Sequence, residues 1–172
     1  MIHWLMVISV LFIPAPAHAE WRDSIRVCFD ASAAIWVSLP DGFPDSELDV
    51  LEDVDGRYKA VIIDLKNDGG RDYFFPSACG NGGCEYPVYD SRSRNAIGSV
   101  FGSPICIMKE TANDFPVIQT YSHVSATSGT IARYVFDGKK YGAVSSVHVK
   151  GEEDEAISNK IGKAPYLKGE KR

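Results

Sequence analysis

Residues 60 to 75, AVIIDLKNDGGRDYFF, set three carboxylates at four-residue intervals, Asp64, Asp68 and Asp72, around a Gly-Gly pair. In calcium loops of the form D-x-[DN]-x-D-G-x-x-[DE], alternate side chains turn oxygens toward one centre. A glycine permits the sharp turn and a backbone carbonyl completes the shell. Asp64, Asp68, Gly69 and Asp72 fit that spacing, and Gly70 is placed to give the carbonyl. Lys66 occupies the position where another oxygen ligand is needed. It removes a ligand and adds a cation, and both changes weaken a divalent ion, whose affinity follows the charge of its ligand set. Two readings result. One is a calcium site on Asp64, Asp68, Gly70 and Asp72; the other, which is favoured, is a metal-free turn in which Lys66 or Arg71 pairs with the aspartates.

The second polar stretch is SHVSATSGT, Ser122 to Thr130. A serine hydrolase needs a hydroxyl activated by a histidine that a carboxylate orients. Ser125 or Ser128, with His123 and Asp114, is the available set, but no G-x-S-x-G elbow accompanies it. No residue is therefore assigned a catalytic role, and an enzyme is not expected. Hydroxyls in such a stretch also satisfy neighbouring backbone groups. A third use is recognition: Ser122, His123, Ser125, Thr127, Ser128 and Gly129 form a loop of small residues able to enter another enzyme's cleft. A rigid loop has the advantage there, because each flexible side chain ordered on binding costs ~0.5–1.5 kcal/mol. Asn81, Gly82 and Gly83, between Cys79 and Cys84, form a secondary contact loop.

Other candidates are weaker. Tyr73, Phe74, Phe75, Tyr86 and Tyr89 suit either a carbohydrate platform or ordinary strand core. His18 and His148 lie in no zinc-ligand pattern, so no metal cofactor beyond the calcium alternative is implied.

These residues are expected to work outside the cytosol. WLMVISVLFI, Trp4 to Ile13, is an apolar run broken by Pro14 and Pro16, and Ala17-His18-Ala19 gives a small-x-small cleavage pattern. A run of that length falls short of the ~20 residues that span a bilayer. Residues 1–19 thus read as a signal peptide, leaving a soluble periplasmic chain with no membrane contact after cleavage. Four cysteines in an exported chain read as two disulfides, with three pairings open. The flexible GNGG segment favours Cys79-Cys84, which leaves Cys28-Cys106; a zinc site is the rival, with spacings unlike paired C-x-x-C knuckles. Formal net charge is −5 with charges of both signs interspersed, so no basic stripe exists for nucleic acid.

The positioning elements follow from periodicity. In Asp23 to Leu39, apolar positions near helical spacing predict one N-terminal helix with Asp23 as its cap. After Tyr58, about eight short β-type runs alternate with Gly, Asn and Asp, and Asp137-Gly138 marks a hairpin turn. The expected fold is α+β: a disulfide-stapled, mostly antiparallel meander over residues 20–150 packed on that helix. Residues 151–172 read as a solvated, charged C-terminal tail.

VIIDLKNDGGRDYFF resembles the aspartate-rich strand-loop-strand unit of FG-GAP and VCBS-type proteins, which builds propeller blades or small sheets. CGNGGCEYPVYDSRSRNAIGSVFG and YSHVSATSGTIARYVFDGKKY are similar to stretches of small exported bacterial proteins. By analogy of size, export and architecture, such proteins include periplasmic immunity proteins against type VI secreted peptidoglycan amidases. The resemblance implies a binding protein or inhibitor whose partner is a cell-wall hydrolase. The alternatives are a calcium- or carbohydrate-binding envelope module and, third, a secreted hydrolase.

Overall fold

The structure, a computed structural model, describes residues 24–39 and 53–168. The signal segment expected at residues 1–19 lies outside the described residues. Twelve strands form one sheet: β1 (Ile25–Phe29), β2 (Ile35–Val37), β3 (Asp53–Val54), β4 (Arg57–Ile63), β5 (Asp72–Phe74), β6 (Ser77–Gly80), β7 (Gly83–Asp90), β8 (Asn95–Gly102), β9 (Ile105–Ala112), β10 (Phe115–Ser125), β11 (Ser128–Phe136) and β12 (Tyr141–Lys150). One α-helix follows, α1 (Glu152–Ile161).

The main path of the sheet runs β1-β9-β10-β11-β12-β8-β7-β5-β4-β2. Its two end strands are neighbours in the chain, joined through a 3-10 turn at Ala31–Ala33. The link from Phe29 to Ile35 reaches at most ~21 Å, whereas ten strands laid flat would span ~43 Å. The sheet must therefore curl, and its seam is the parallel pair Tyr141↔Gly98 between β12 and β8. A Cβ on Gly98 would lie 2.8 Å from the Tyr141 backbone, so only glycine allows that approach.

Curling puts one core inside and others outside. Phe29, Val61, Phe74, Tyr86, Ile107 and Phe136 belong to the interior cluster. Cys28, Cys106, Met108, Val117 and Tyr121 face outward from the first half and pack beneath Ile157 and Ile161 of α1. Ala60, Tyr73, Phe75 and Tyr89 form a third cluster on the outer side of the second half. Strands buried on both faces lose polar alternation, which explains runs such as ICIM and YFF.

That same physics corrects the expected fold. The α+β meander of about eight strands on an N-terminal helix is not found. The eight runs fall on β4, β5 and β7 to β12, and β1, β2, β3 and β6 are additional. Within the predicted helix, IRVCF is strand β1, burying Ile25 and Cys28 on one face and Phe29 on the other. A bulge between Ile25 and Val27 breaks the two-residue alternation, and the displaced pattern mimics helical spacing. The one α-helix among the described residues lies at the other end, in the stretch expected to be solvated. After it, Tyr166 bridges Cys28, Cys28 N–H donates to the Pro165 carbonyl (2.8 Å), and Leu167 N–H donates to the Cys28 carbonyl (2.9 Å). The tail thus covers the outer edge of β1.

Both disulfides, Cys28-Cys106 and Cys79-Cys84, are present. Cys28 and Cys106 are directly opposed on β1 and β9, and Cys79-Cys84 closes the turn between β6 and β7.

Candidate functional site

Strand alternation sends the connections to two ends of the curled sheet. At one end lie the β4-β5 loop (64–71) and the turns 91–94, 113–114 and 137–140. At the other lie the β10-β11 turn, the Cys79-Cys84 loop and the start of α1.

The aspartate loop joins β4 to β5, and its polar groups are turned on itself. The Asp64 carboxylate accepts from Asp68 N–H (3.1 Å) and Gly69 N–H (2.7 Å), and Asp68 accepts from Gly70 N–H (3.0 Å). Burial alone would raise the Asp64 carboxyl; those backbone donors outweigh it and hold it below the usual carboxylate range. Arg92 makes an ion pair with Asp68. From β1, Arg26 donates to the carbonyls of Asp64 (2.8 Å) and Leu65 (2.9 Å), clamping the loop from below. Asp72 is buried and accepts from Leu65 N–H (2.8 Å). Burial, with Asp90, Asp64 and Asp68 nearby, pushes its carboxyl up to about 7. Lys66 leaves the aspartates and lies over the Phe115 ring, 4.0 Å from its centroid. Among the described residues no group of three or more His, Cys, Asp or Glu side chains is arranged to hold a metal ion. The Asp68 carboxylate pairs with Arg92 and the Asp64 carboxylate accepts from backbone N–H groups, in place of the pairing expected with Lys66 or Arg71.

The β10-β11 hairpin is built the opposite way. Its base is fixed: Tyr121 is buried and its hydroxyl donates to the buried carboxyl of Asp154 on α1. Burial, together with that bond, pushes the Tyr121 hydroxyl up to about 12. The Tyr121 ring lies across Gly129, where an added Cβ would sit 2.3 Å from a ring carbon. Its hydroxyl is 3.4 Å from His123 Nδ1, and the two rings meet edge to face. Ser125 and Ser128 hydroxyls bond each other (2.7 Å), and Thr127 N–H donates to Ser125 Oγ (3.3 Å). Above this base His123, Val124, Ser125, Ala126 and Thr127 are exposed, Val124 at 64%.

The structure brings the two predicted contact loops together. A Cβ on Gly82, in the disulfide-closed turn, would lie 3.2 Å from the His123 carbonyl oxygen. Asn81 and Gly83 flank it in the same turn. The hydrolase set is not assembled: Asp114 sits in the turn at the far end of β10, about 30 Å of extended strand from His123. Neither serine hydroxyl bonds His123; the two bond each other. The aromatics considered as a carbohydrate platform, Tyr73, Phe74, Phe75, Tyr86 and Tyr89, are all buried. Asp154 and Tyr121 were missed as site residues. Their only sequence signal is a carboxylate in a charged segment, which does not mark it as buried.

No helix among the described residues is long and apolar enough to cross a membrane, and the two disulfides are compatible with export. No protein-family model matches the chain, and no curated protein or solved structure matches it either.

Proposed function

We propose that this chain is an exported, periplasmic inhibitor that blocks a peptidoglycan amidase by inserting the β10-β11 tip, as an immunity protein against a type VI secreted amidase does. One observation carries this reading: five consecutive exposed residues, His123 to Thr127, stand on a base that α1, Tyr121 and Gly129 hold in place. A preformed tip enters a cleft without the entropy cost of ordering a loop. The Cys79-Cys84 turn beside it supplies a second rigid surface. Together the two suit contact of the standard ~1,600 Å² total size. Val124 would fill an apolar subsite, while His123 and the Ser125 and Thr127 hydroxyls meet polar groups around it.

Purified protein should inhibit at least one amidase of this class with one-to-one stoichiometry. Val124→Glu should weaken that inhibition about tenfold or more while leaving the melting temperature unchanged. Undiminished inhibition by the variant would remove the tip from the mechanism. Turnover of peptidoglycan by the protein itself would overturn the inhibitor role.

A further inference from the structure

The edges of the sheet are treated unequally. The outer edge of β1 is covered by Pro165, Tyr166 and Leu167. β12 is paired with β11 along its whole length, yet on its other side it meets β8 only at Tyr141. The other nine of its ten residues, Gly142 to Lys150, present an open edge among the described residues. Eight of these, Gly142 to His148 and Lys150, are exposed, with Val144 at 61% and Val147 at 50%. Proteins commonly guard such an edge with lysine, proline or a covering segment. The open segment contains no carboxylate and no proline, and its single lysine is Lys150 at its last position, so Gly142 to Val149, GAVSSVHV, is uncharged apart from His148; its one irregularity is a register shift at Val144.

We infer that this edge is a self-association surface: β12 pairs antiparallel with β12 of a second copy about a two-fold axis at Ser146. Two features select that occupant. A symmetric antiparallel pair must have one residue opposite its own copy, because neighbouring residues point to opposite faces. Ser146 is the midpoint of the open segment, so centring there uses all of it and stops short of β8. The flanking charges then match. Lys139 and Lys140 precede the strand and Glu152 follows it, all three exposed. The antiparallel arrangement sets the lysines of each copy alongside Glu152 of the other, while the apolar and hydroxyl stretch between them carries no like-charge conflict. Because the two strands run oppositely, the two inhibitory hairpins would point away from each other and both would remain free.

Sedimentation of the purified full chain across a wide dilution series should show a monomer-dimer equilibrium. Ser146→Lys, which sets two cations face to face at the axis, should abolish the dimer while melting as the parent does at dilutions where both are monomeric. Ser146→Cys should form an intermolecular disulfide under mild oxidation, and Val144→Cys, displaced from the axis, should not. Lys140→Glu should weaken the dimer about twofold to fivefold, and adding Glu152→Lys should restore it. A chain that stays monomeric at every concentration would overturn the inference. So would equal cross-linking at positions 144 and 146, or a dimer that survives Ser146→Lys. None of these readouts involves amidase inhibition, so the dimer and the inhibitor role stand or fall separately.

Discussion

The aspartate loop and the β10-β11 hairpin both connect neighbouring antiparallel strands, and both are rich in polar residues. They use those residues in opposite directions. In the loop, Asp64, Asp68 and Asp72 accept hydrogen bonds from the backbone of their own segment, while Arg26 and Arg92 seal the outside. In the hairpin the side-chain bonds are fewer, Tyr121 to Asp154 at the base and Ser125 with Ser128 and Thr127 in the turn, and His123 to Thr127 are exposed to solvent. Polarity alone therefore does not mark a binding segment. What matters is whether the polar groups are already satisfied when the chain is alone.

Three perturbations test that contrast. The largest effect belongs to Gly129→Ala. The new methyl group cannot coexist with the Tyr121 ring, so the ring must leave and the buried Asp154 loses its donor. We expect ~2–4 kcal/mol of lost stability by urea titration, together with loss of the proposed inhibition; a neutral result would show that the hairpin base is not fixed as described. Next is Asp72→Asn. The folded carboxyl titrates at about 7, above its ordinary value, so between about pH 4 and pH 7 the native state holds more protons than the unfolded chain. Stability from this group is present at the acid end of that window and falls as pH rises through it. Asparagine keeps an acceptor for Leu65 N–H and does not ionise. It should flatten that fall and raise stability by ~1–3 kcal/mol at about pH 8, measured by melting across the pH range. The smallest effect is a paired comparison: Asp64→Ala should lower the melting temperature by removing the carboxylate that accepts from the Asp68 and Gly69 N–H groups, whereas His123→Ala should leave it unchanged and alter only the proposed inhibition. Reversed outcomes would undo the contrast between the two segments.

Much of the sheet was legible because turn residues punctuate it. Asp137-Gly138 does mark the β11-β12 turn, where Asp137 accepts from Lys139 and Lys140 N–H groups (2.8 and 2.9 Å). The flexible segment between Cys79 and Cys84 pointed to the ring that forms. Strand β1 was illegible because burial on two faces, combined with a bulge, erases the period that identifies a strand. Helix α1 was illegible for a different reason: of its ten residues only Asp154, Ile157 and Ile161 are buried, too few to outweigh four acidic residues in its first turn. In the candidate site, spacing brought out the carboxylates and the serines. It could not foretell that Arg26, distant in sequence, clamps the loop, or that Lys66 turns away onto Phe115. Those partners are chosen by the closure of the sheet.

The clasp of Pro165, Tyr166 and Leu167 on β1 has a bearing on how the chain comes to be made. Tyr166 donates to Asp30, 136 positions earlier, and β1 itself pairs with β9 across most of the intervening sequence. β1 must therefore wait for partners far along the chain, first β9 and then Tyr166, before both of its contacts are made. A topology with such distant partners assembles slowly.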